Sequence, residues 1–238
     1  MPFWRYFGDM DYSRFIVICS PRTGSNYLMN LLNTNKQIQM YSEILAPYRK
    51  KESDSVQGVL ERIFSPKSSR VKAVGFKLFY KHLEDNELSK VIEFNNINYI
   101  HLKRKNKLRT IVSLEIAKKT NVWQLYSREN TLSDRGKSVF IDPHSVLERI
   151  SELENYENTF DEIIKDFNHI QIFYENFTAE PEYSIRQISD FLHLDMNYDY
   201  SAFGMRKQNP EKLSTLIENY DAVAKLLSGN SYEKYLEE

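Results

Sequence analysis

The chain has 238 residues, 41% hydrophobic and 27% charged; at ~150 residues per domain that allows one or two domains, with ample apolar side chains for a real core. A single cysteine excludes a disulfide framework and a multi-cysteine zinc site, and it suits a reducing compartment. Lysine plus arginine (32) nearly cancels aspartate plus glutamate (33), and a net charge of −1 offers no global basic field for nucleic acid or an anionic membrane.

Residues 1–12 show no basic head, long apolar stretch or small-residue cleavage site. The apolar run Phe15-Ile16-Val17-Ile18-Cys19 falls far short of the ~20 residues that cross a bilayer. A cytoplasmic protein is the expectation. Seven glycines are too few for flexible linkers, so Gly24, Gly75 and Gly204 are expected where the backbone needs them. No repeat or Pro/Ser/Gly-rich linker divides the chain, and residues 1–238 read as one domain.

In chain order, residues 14–20 predict a short strand buried on both faces. The break Pro21-Arg22-Thr23-Gly24-Ser25 follows, and residues 26–33 have helical spacing. Residues 38–41 suit a second strand, and Val56, Val59, Leu60, Ile63 and Phe64 form one helical face. Residues 71–80 carry a third strand and 98–102 a fourth, followed by a long helix over 107–126. Asp142 as cap and Pro143 at the first helical position open a helix with apolar repeats from Val146 to Phe167. A late strand at 169–174, a helix over 181–192 and a last helix opened by Asn209-Pro210 complete the order. Alternating strands and helices predict an α/β fold, a three-layer arrangement with a mainly parallel central sheet. Ligands in such sheets sit at the carboxyl ends of the strands, here at residues 20–25, 103–106 and 174–176.

The first of these exits is a strand, a Gly/Ser loop and a helix start, which presents unpaired amides and a positive dipole end to an anion. It lacks the lysine that a Walker loop places after its second glycine; Ser25-Asn26 stand there, and the cation is Arg22. The second exit runs Tyr99-Ile100-His101-Leu102-Lys103-Arg104 through Asn106-Lys107-Leu108-Arg109 to Val112-Ser113-Leu114, then Ala117 and Trp123. Together the two segments resemble sulfotransferases that use 3′-phosphoadenosine-5′-phosphosulfate (PAPS), in particular the bacterial branch that includes trehalose and nodulation-factor sulfotransferases. Phe173-Tyr174-Glu175-Asn176-Phe177 with Pro181, and Arg206-Lys207-Gln208-Asn209 before Ile217-Glu218-Asn219-Tyr220, are similar to that family's later motifs.

The resemblance implies a P-loop-like fold and a donor held by Pro21, Arg22, Thr23, Gly24, Ser25 and Asn26 at the 5′-phosphosulfate. It puts Arg104 and Ser113 at the 3′-phosphate and Arg206, Lys207 and Gln208 on the 3′-phosphate or adenosine side. One departure stands out: Arg104 and Ser113 are nine residues apart where the family has eight. Lys105 therefore competes with Arg104, although the guanidinium fork suits bidentate phosphate contact better than an ammonium does.

The implied reaction is an in-line sulfo transfer to a hydroxyl of a carbohydrate or other small acceptor. It needs a base, cations at the leaving oxygen and aligned reactants. Glu43, in Ser42-Glu43-Ile44-Leu45, stands where that branch has its base, and apolar neighbours are expected to raise its pKa. His82 and His101 are alternatives, His101 as a core residue first. Lys77 interrupts an apolar strand and is either a cation near the transferred group or an edge-strand lysine. Cys19 reads as a small buried hydrophobe. No carboxylate cluster suggests Mg²⁺, so no metal is expected. Residues 126–141, with Arg128, Arg135 and Lys137, are a candidate lid. Two rival readings stay open: a P-loop nucleotide kinase or hydrolase, and a non-catalytic nucleotide-binding protein on the same fold.

Overall fold

A computed structural model describes residues 9–49, 55–124, 137–201 and 208–237. Its centre is a five-stranded, all-parallel sheet in the order β2-β3-β1-β4-β5. The strands are β1 (Ser13–Cys19), β2 (Ile38–Tyr41), β3 (Ala73–Phe79), β4 (Ile97–Lys103) and β5 (His169–Phe173). Phe15 to Cys19 are fully buried, and the strand's period of two divides them between two cores. Phe15, Val17 and Cys19 pack with α1 (Ser25–Leu32), α6 (Tyr174–Ala179) and α7 (Pro181–Leu192). Ile16 and Ile18 face α2 (Val56–Ile63), α3 (Asp85–Ile92) and the end of α5 (Pro143–Ile164). Each buried Ile or Phe contributes ~1.5–3 kcal/mol, which makes β1 the keel of the fold. Gly75 on β3 is fixed by this packing, since a Cβ there would lie 2.6 Å from the Phe15 ring.

A third core joins α4 (Lys107–Thr120) and α5 to two short helices, α8 (Leu213–Leu216) and α9 (Tyr220–Leu227). The structure differs here from two expectations. The helix over 107–126 stops at Thr120, because Asn121 takes a left-handed φ of 54°. The last helix is broken in two. Ile217 leaves helical geometry to bridge Val139, with Val139 donating to the Leu216 carbonyl at 2.9 Å and Glu218 to the Val139 carbonyl at 3.0 Å. By contrast, Asp142 accepts from the His144 amide at 3.0 Å and Pro143 opens α5, as the sequence predicts.

Because all strands run the same way, their carboxyl ends share one edge. Cys19 lies opposite both Phe79 and Leu102, and Lys103 opposite Phe173. The loop after Cys19, the turn after Lys103, α6 after Phe173 and the 3₁₀ turn Tyr80–His82 after β3 therefore converge. No helix among the described residues is long and apolar enough to cross a membrane.

Candidate active site

Arg22 and Gly24 both adopt left-handed backbone geometry, with φ of 69° and 81°. These two reversals turn β1 into α1 within a few residues, and Thr23 Oγ1 locks the turn by donating to the Ser20 carbonyl at 2.9 Å. Gly24 is doubly constrained: beyond its φ, a Cβ would come within 2.6 Å of the Tyr174 ring. The first turn of α1 holds no acidic residue, so its amides face the cleft with their positive end uncompensated.

The cleft beside this loop has a volume of about 470 Å³ and is lined by Arg22, Gly24, Ser25 and Asn26, by Arg104 and Ser113, and by Tyr174, Gln208 and Asn209 among others. No carboxylate lines it among the described residues. Arg22 Nε donates to Ser113 Oγ at 3.0 Å, another guanidinium nitrogen donates to the Trp123 carbonyl at 2.8 Å, and a third bonds Gln208. Asn209 Nδ2 donates to the same Ser113 oxygen at 3.2 Å. Arg104 donates to the Arg22 carbonyl at 3.1 Å, lies 4.7 Å above the Tyr174 ring, and has a buried Nε with no partner. Burial lowers both guanidinium pKa values, that of Arg22 to about 10 with Arg104 as the next cause. Two like charges held together with no ion pair to either among the described residues, and only the field of Glu175 acting on Arg104, are a ready anion site.

The nine-residue spacing thus still brings Arg104 and Ser113 to one cleft. Lys105 goes elsewhere: its Nζ donates to Asn176 at 3.0 Å, its amide donates to Glu175 at 2.9 Å, and it is exposed. Arg206 and Lys207 lie outside the described residues, as do Gly204 and most of the candidate lid, including Arg128 and Arg135. Lys137 is described, and it pairs with Glu211 at 2.7 Å. Pro21 turns from this cleft and lines a second cavity.

Glu43 stands just after β2, its carboxylate 2.7 Å from Lys77 Nζ and also bonded by the Tyr48 hydroxyl. Lys77 is fully buried, holds Asn26 as well, and sits on β3 between β2 and β1, so it is no edge-strand lysine. The expected rise in the Glu43 pKa is corrected. Burial pushes it up, yet the hydrogen bonds from Lys77 and Tyr48 outweigh that and leave it below the ordinary carboxylate value.

His82 is buried on the 3₁₀ turn, where Nδ1 accepts from the Phe79 amide at 3.2 Å. Burial lowers its pKa. His101 is a core residue, bonded to Asp161 through Nδ1 at 2.8 Å and to the Tyr80 hydroxyl through Nε2 at 2.7 Å. Burial likewise pushes the Cys19 thiol up to about 11, which leaves it inert.

The second cavity, about 260 Å³, lies across the loop from the cleft. Ser20 and Pro21 form one wall, Phe79, Tyr80 and His82 another, and Tyr156 and Leu153 of α5 a third. Sequence reasoning placed Tyr174 at a strand exit without giving it a role; here it touches Gly24 and supports Arg104. Asn209 stands in the motif after Arg206 but has no role assigned to it from the sequence, and Tyr48 carries no signal there.

Three comparisons bear on this geometry. The family model described as "Stf0 sulphotransferase" matches residues 75–222, more than half of the chain, beginning after Glu43 and the glycine loop. Nodulation protein H of Rhizobium tropici is 24% identical over 243 residues, covering 94% of this chain and 92% of its own. Among solved structures, the sulfotransferase domain from the curacin biosynthetic pathway superposes with a TM-score of 0.51 at 16% identity, over 78% of this chain and 75% of that one. A sulfotransferase from Alicyclobacillus acidocaldarius gives 0.50 at 14% identity, over 94% and 95%.

Proposed function

From the premise that the chain belongs to the Stf0 sulphotransferase family and is a PAPS-dependent sulfotransferase, we propose that it sulfates a carbohydrate hydroxyl, with Glu43 as the base. The single observation that carries the site assignment is the chain of contacts in which Arg104 bonds the Arg22 carbonyl and Arg22 bonds Ser113, all three lining a cleft that no carboxylate among the described residues lines. The residues fit a donor bearing two phosphates. Arg104, whose buried Nε has no partner, and Ser113 would hold the 3′-phosphate, with Gln208 nearby and Arg206 and Lys207 proposed for the same side. The amides of Thr23 to Asn26, with Arg22, would hold the 5′-phosphosulfate. When bound, the donor supplies the sulfo group and a nucleotide bisphosphate leaving group. A single sheet spans Ser13 to Phe173, and the later helices α8 and α9 share a core with α4 and α5, which supports reading residues 1–238 as one domain.

Lys77 orients the Glu43 carboxylate through one oxygen and neutralises it until a proton arrives. His82 is the weaker base. With Nδ1 accepting from a backbone amide, its neutral tautomer keeps the proton on Nε2 and has no free lone pair. The 260 Å³ cavity is the proposed acceptor seat, because His82 and Phe79 bring it next to Lys77, which lies 5.0 Å from the Phe79 ring. Phe79, Tyr80 and Tyr156 line it with aromatic rings, of the kind sugars pack against. Similarity to a nodulation protein supports a carbohydrate-like acceptor.

The test compares 3′,5′-bisphosphoadenosine with AMP in thermal melts. At a hundredfold excess over the dissociation constant the bisphosphate should stabilise by ~2.7 kcal/mol, and AMP far less. Equal shifts would remove the 3′-phosphate assignment. Turnover in excess EDTA is expected to persist; loss restored by Mg²⁺ would point to a metal-dependent reaction instead.

A further inference from the structure

We propose that Asn209 is a positioning residue that fixes Ser113 as a pure hydrogen-bond donor, and that this donor selects a nucleotide with a 3′-phosphate; this rests on Ser113 lying at the 3′-phosphate. A serine hydroxyl has two lone pairs and one proton. Both lone pairs of Ser113 are taken, since Arg22 Nε donates to Oγ at 3.0 Å and Asn209 Nδ2 donates to it at 3.2 Å. The O–H proton is what remains. Elsewhere on α4 a hydroxyl spends its proton inside the helix: Thr110 donates to the Asn106 carbonyl at 3.2 Å and Thr120 to the Ile116 carbonyl at 2.7 Å. Ser113 makes no such bond, and its two contacts among the described residues are the donors just named.

Ser113 and Asn209 are only 7% and 8% exposed, and both line the 470 Å³ cleft. The unspent proton therefore has the cleft to serve. With Arg22 as its one partner, Ser113 would keep a free lone pair and could present either that or its proton to a ligand. The second donor, from Asn209, leaves a single orientation. A hydroxyl set in advance loses no rotational freedom when the ligand arrives. It also wants an acceptor with no proton of its own. A phosphate oxygen is such an acceptor, and the bond to it is charge-assisted. AMP offers a neutral 3′-hydroxyl in the same place, which accepts more weakly. Asn209 thus sharpens the choice between the two nucleotides through Ser113, without a phosphate contact of its own being required.

The test is calorimetric titration of 3′,5′-bisphosphoadenosine and of AMP against the wild type, Asn209→Leu, Ser113→Ala and the double variant. Leucine keeps the approximate shape of asparagine and has no side-chain N–H. Asn209→Leu should weaken the bisphosphate roughly three- to tenfold and AMP by no more than about twofold, because a hydrogen bond to a charged group is loosened rather than removed. Ser113→Ala, which removes it, should cost the bisphosphate at least as much. In the Ser113→Ala background the Asn209 substitution should add almost nothing, since its effect passes through that hydroxyl. Equal losses for both nucleotides in Asn209→Leu would mean that Asn209 only shapes the cleft, and would overturn the proposal. An Asn209→Leu loss that persists undiminished without Ser113 would overturn it too. Asn209→Ala is read in the same way and replaces the leucine variant should that melt below the titration temperature. If Ser113→Ala itself leaves the preference for the bisphosphate intact, the 3′-phosphate reading fails and the proposal with it. A preference lost in Ser113→Ala but unchanged in Asn209→Leu sinks the proposal alone.

Discussion

Lys103 and Lys107 flank Arg104 in the chain, and their surroundings could hardly differ more. Lys103 pairs with Asp161 at 2.5 Å and Lys107 with Glu157 at 2.6 Å, both carboxylates supplied by α5. Arg104 meets a backbone carbonyl, the face of Tyr174 and the field of a second guanidinium, and Glu175 acts on it only through its field, without an ion pair among the described residues. The lysines are neutralised inside the fold and hold α5 against β4 and α4. The arginine is left with charge to spend on something that arrives from outside. One short basic run thus contains both structural and binding cations, and what separates them is the presence of a partner carboxylate, not the residue's charge. The Glu43–Lys77 pair belongs to neither group: its cation is as buried as the structural ones, yet that cation also holds Asn26, which lines the cleft.

The largest expected effect tests that intermediate case. Glu43→Gln keeps shape and hydrogen bonding but cannot take a proton at neutral pH. It should lower turnover by ~10²–10⁴, with nucleotide affinity held within a few-fold by Arg22, Arg104 and the loop amides. A loss of nucleotide binding of the same size would place Glu43 with the structural pairs.

Next in size is the cost of breaking a structural pair. Lys107→Met leaves Glu157 buried without its cation, and also removes the donor that holds the Arg104 carbonyl at 2.6 Å. Denaturant melts at pH 7 should show a loss of ~3–5 kcal/mol. Burial already raises the Glu157 pKa, with Lys107 opposing it. Without Lys107 the rise grows, and the loss should shrink as pH falls and Glu157 becomes neutral. A variant as stable as the wild type would erase the distinction between the two kinds of cation.

The structural side also predicts a pH dependence. Burial depresses the His101 pKa to about 4, from an ordinary value near 6.5. Between those values the unfolded chain binds a proton that the folded one does not, so the folded state loses stability as pH drops from about 6.5 toward 4. The span corresponds to ~3 kcal/mol. His101→Gln should flatten that part of the stability curve.

How much of this the sequence discloses follows from how local each cause is. The apolar run of β1, the Asp142-Pro143 start of α5 and the loop from Ser20 to Asn26 are set by neighbouring residues, and all are readable. α3 hid because Val91 is its single buried residue, and only Leu88 and Ile92 join it as apolar positions in the short run Asp85–Ile92. The last helix reads as continuous because nothing in residues 209–220 announces that Val139, far upstream, will capture Ile217. The Glu43 pKa direction failed for the same reason. Its apolar neighbours are visible in the sequence, but Lys77 reaches it across the sheet and Tyr48 across a turn. Arg104 could be chosen over Lys105 from guanidinium geometry alone, while its lack of a carboxylate partner could not be seen.

The smallest effect bears most directly on the comparison. If Arg104 is held without a carboxylate so that a phosphate can supply the countercharge, Arg104→Ala should remove one charge-assisted contact from 3′,5′-bisphosphoadenosine. That is worth ~1.5–3 kcal/mol. AMP, without a 3′-phosphate, should bind the variant almost as it binds the wild type. Stability should not fall as it does for Lys107→Met, because deletion relieves the repulsion from Arg22 and the unpaired Nε, against the loss of the packing on Tyr174, one hydrogen bond to the Arg22 carbonyl and the field of Glu175. Arg104→Lys separates charge from shape: an ammonium keeps the attraction but not the fork, and its affinity should fall between the two. Calorimetric titration of both nucleotides against the three proteins reads all of this at once. Equal losses for the bisphosphate and AMP would mean that Arg104 only shapes the cleft. A melting drop as deep as that of Lys107→Met would mean that it is one more structural cation, held by Tyr174 rather than by a carboxylate.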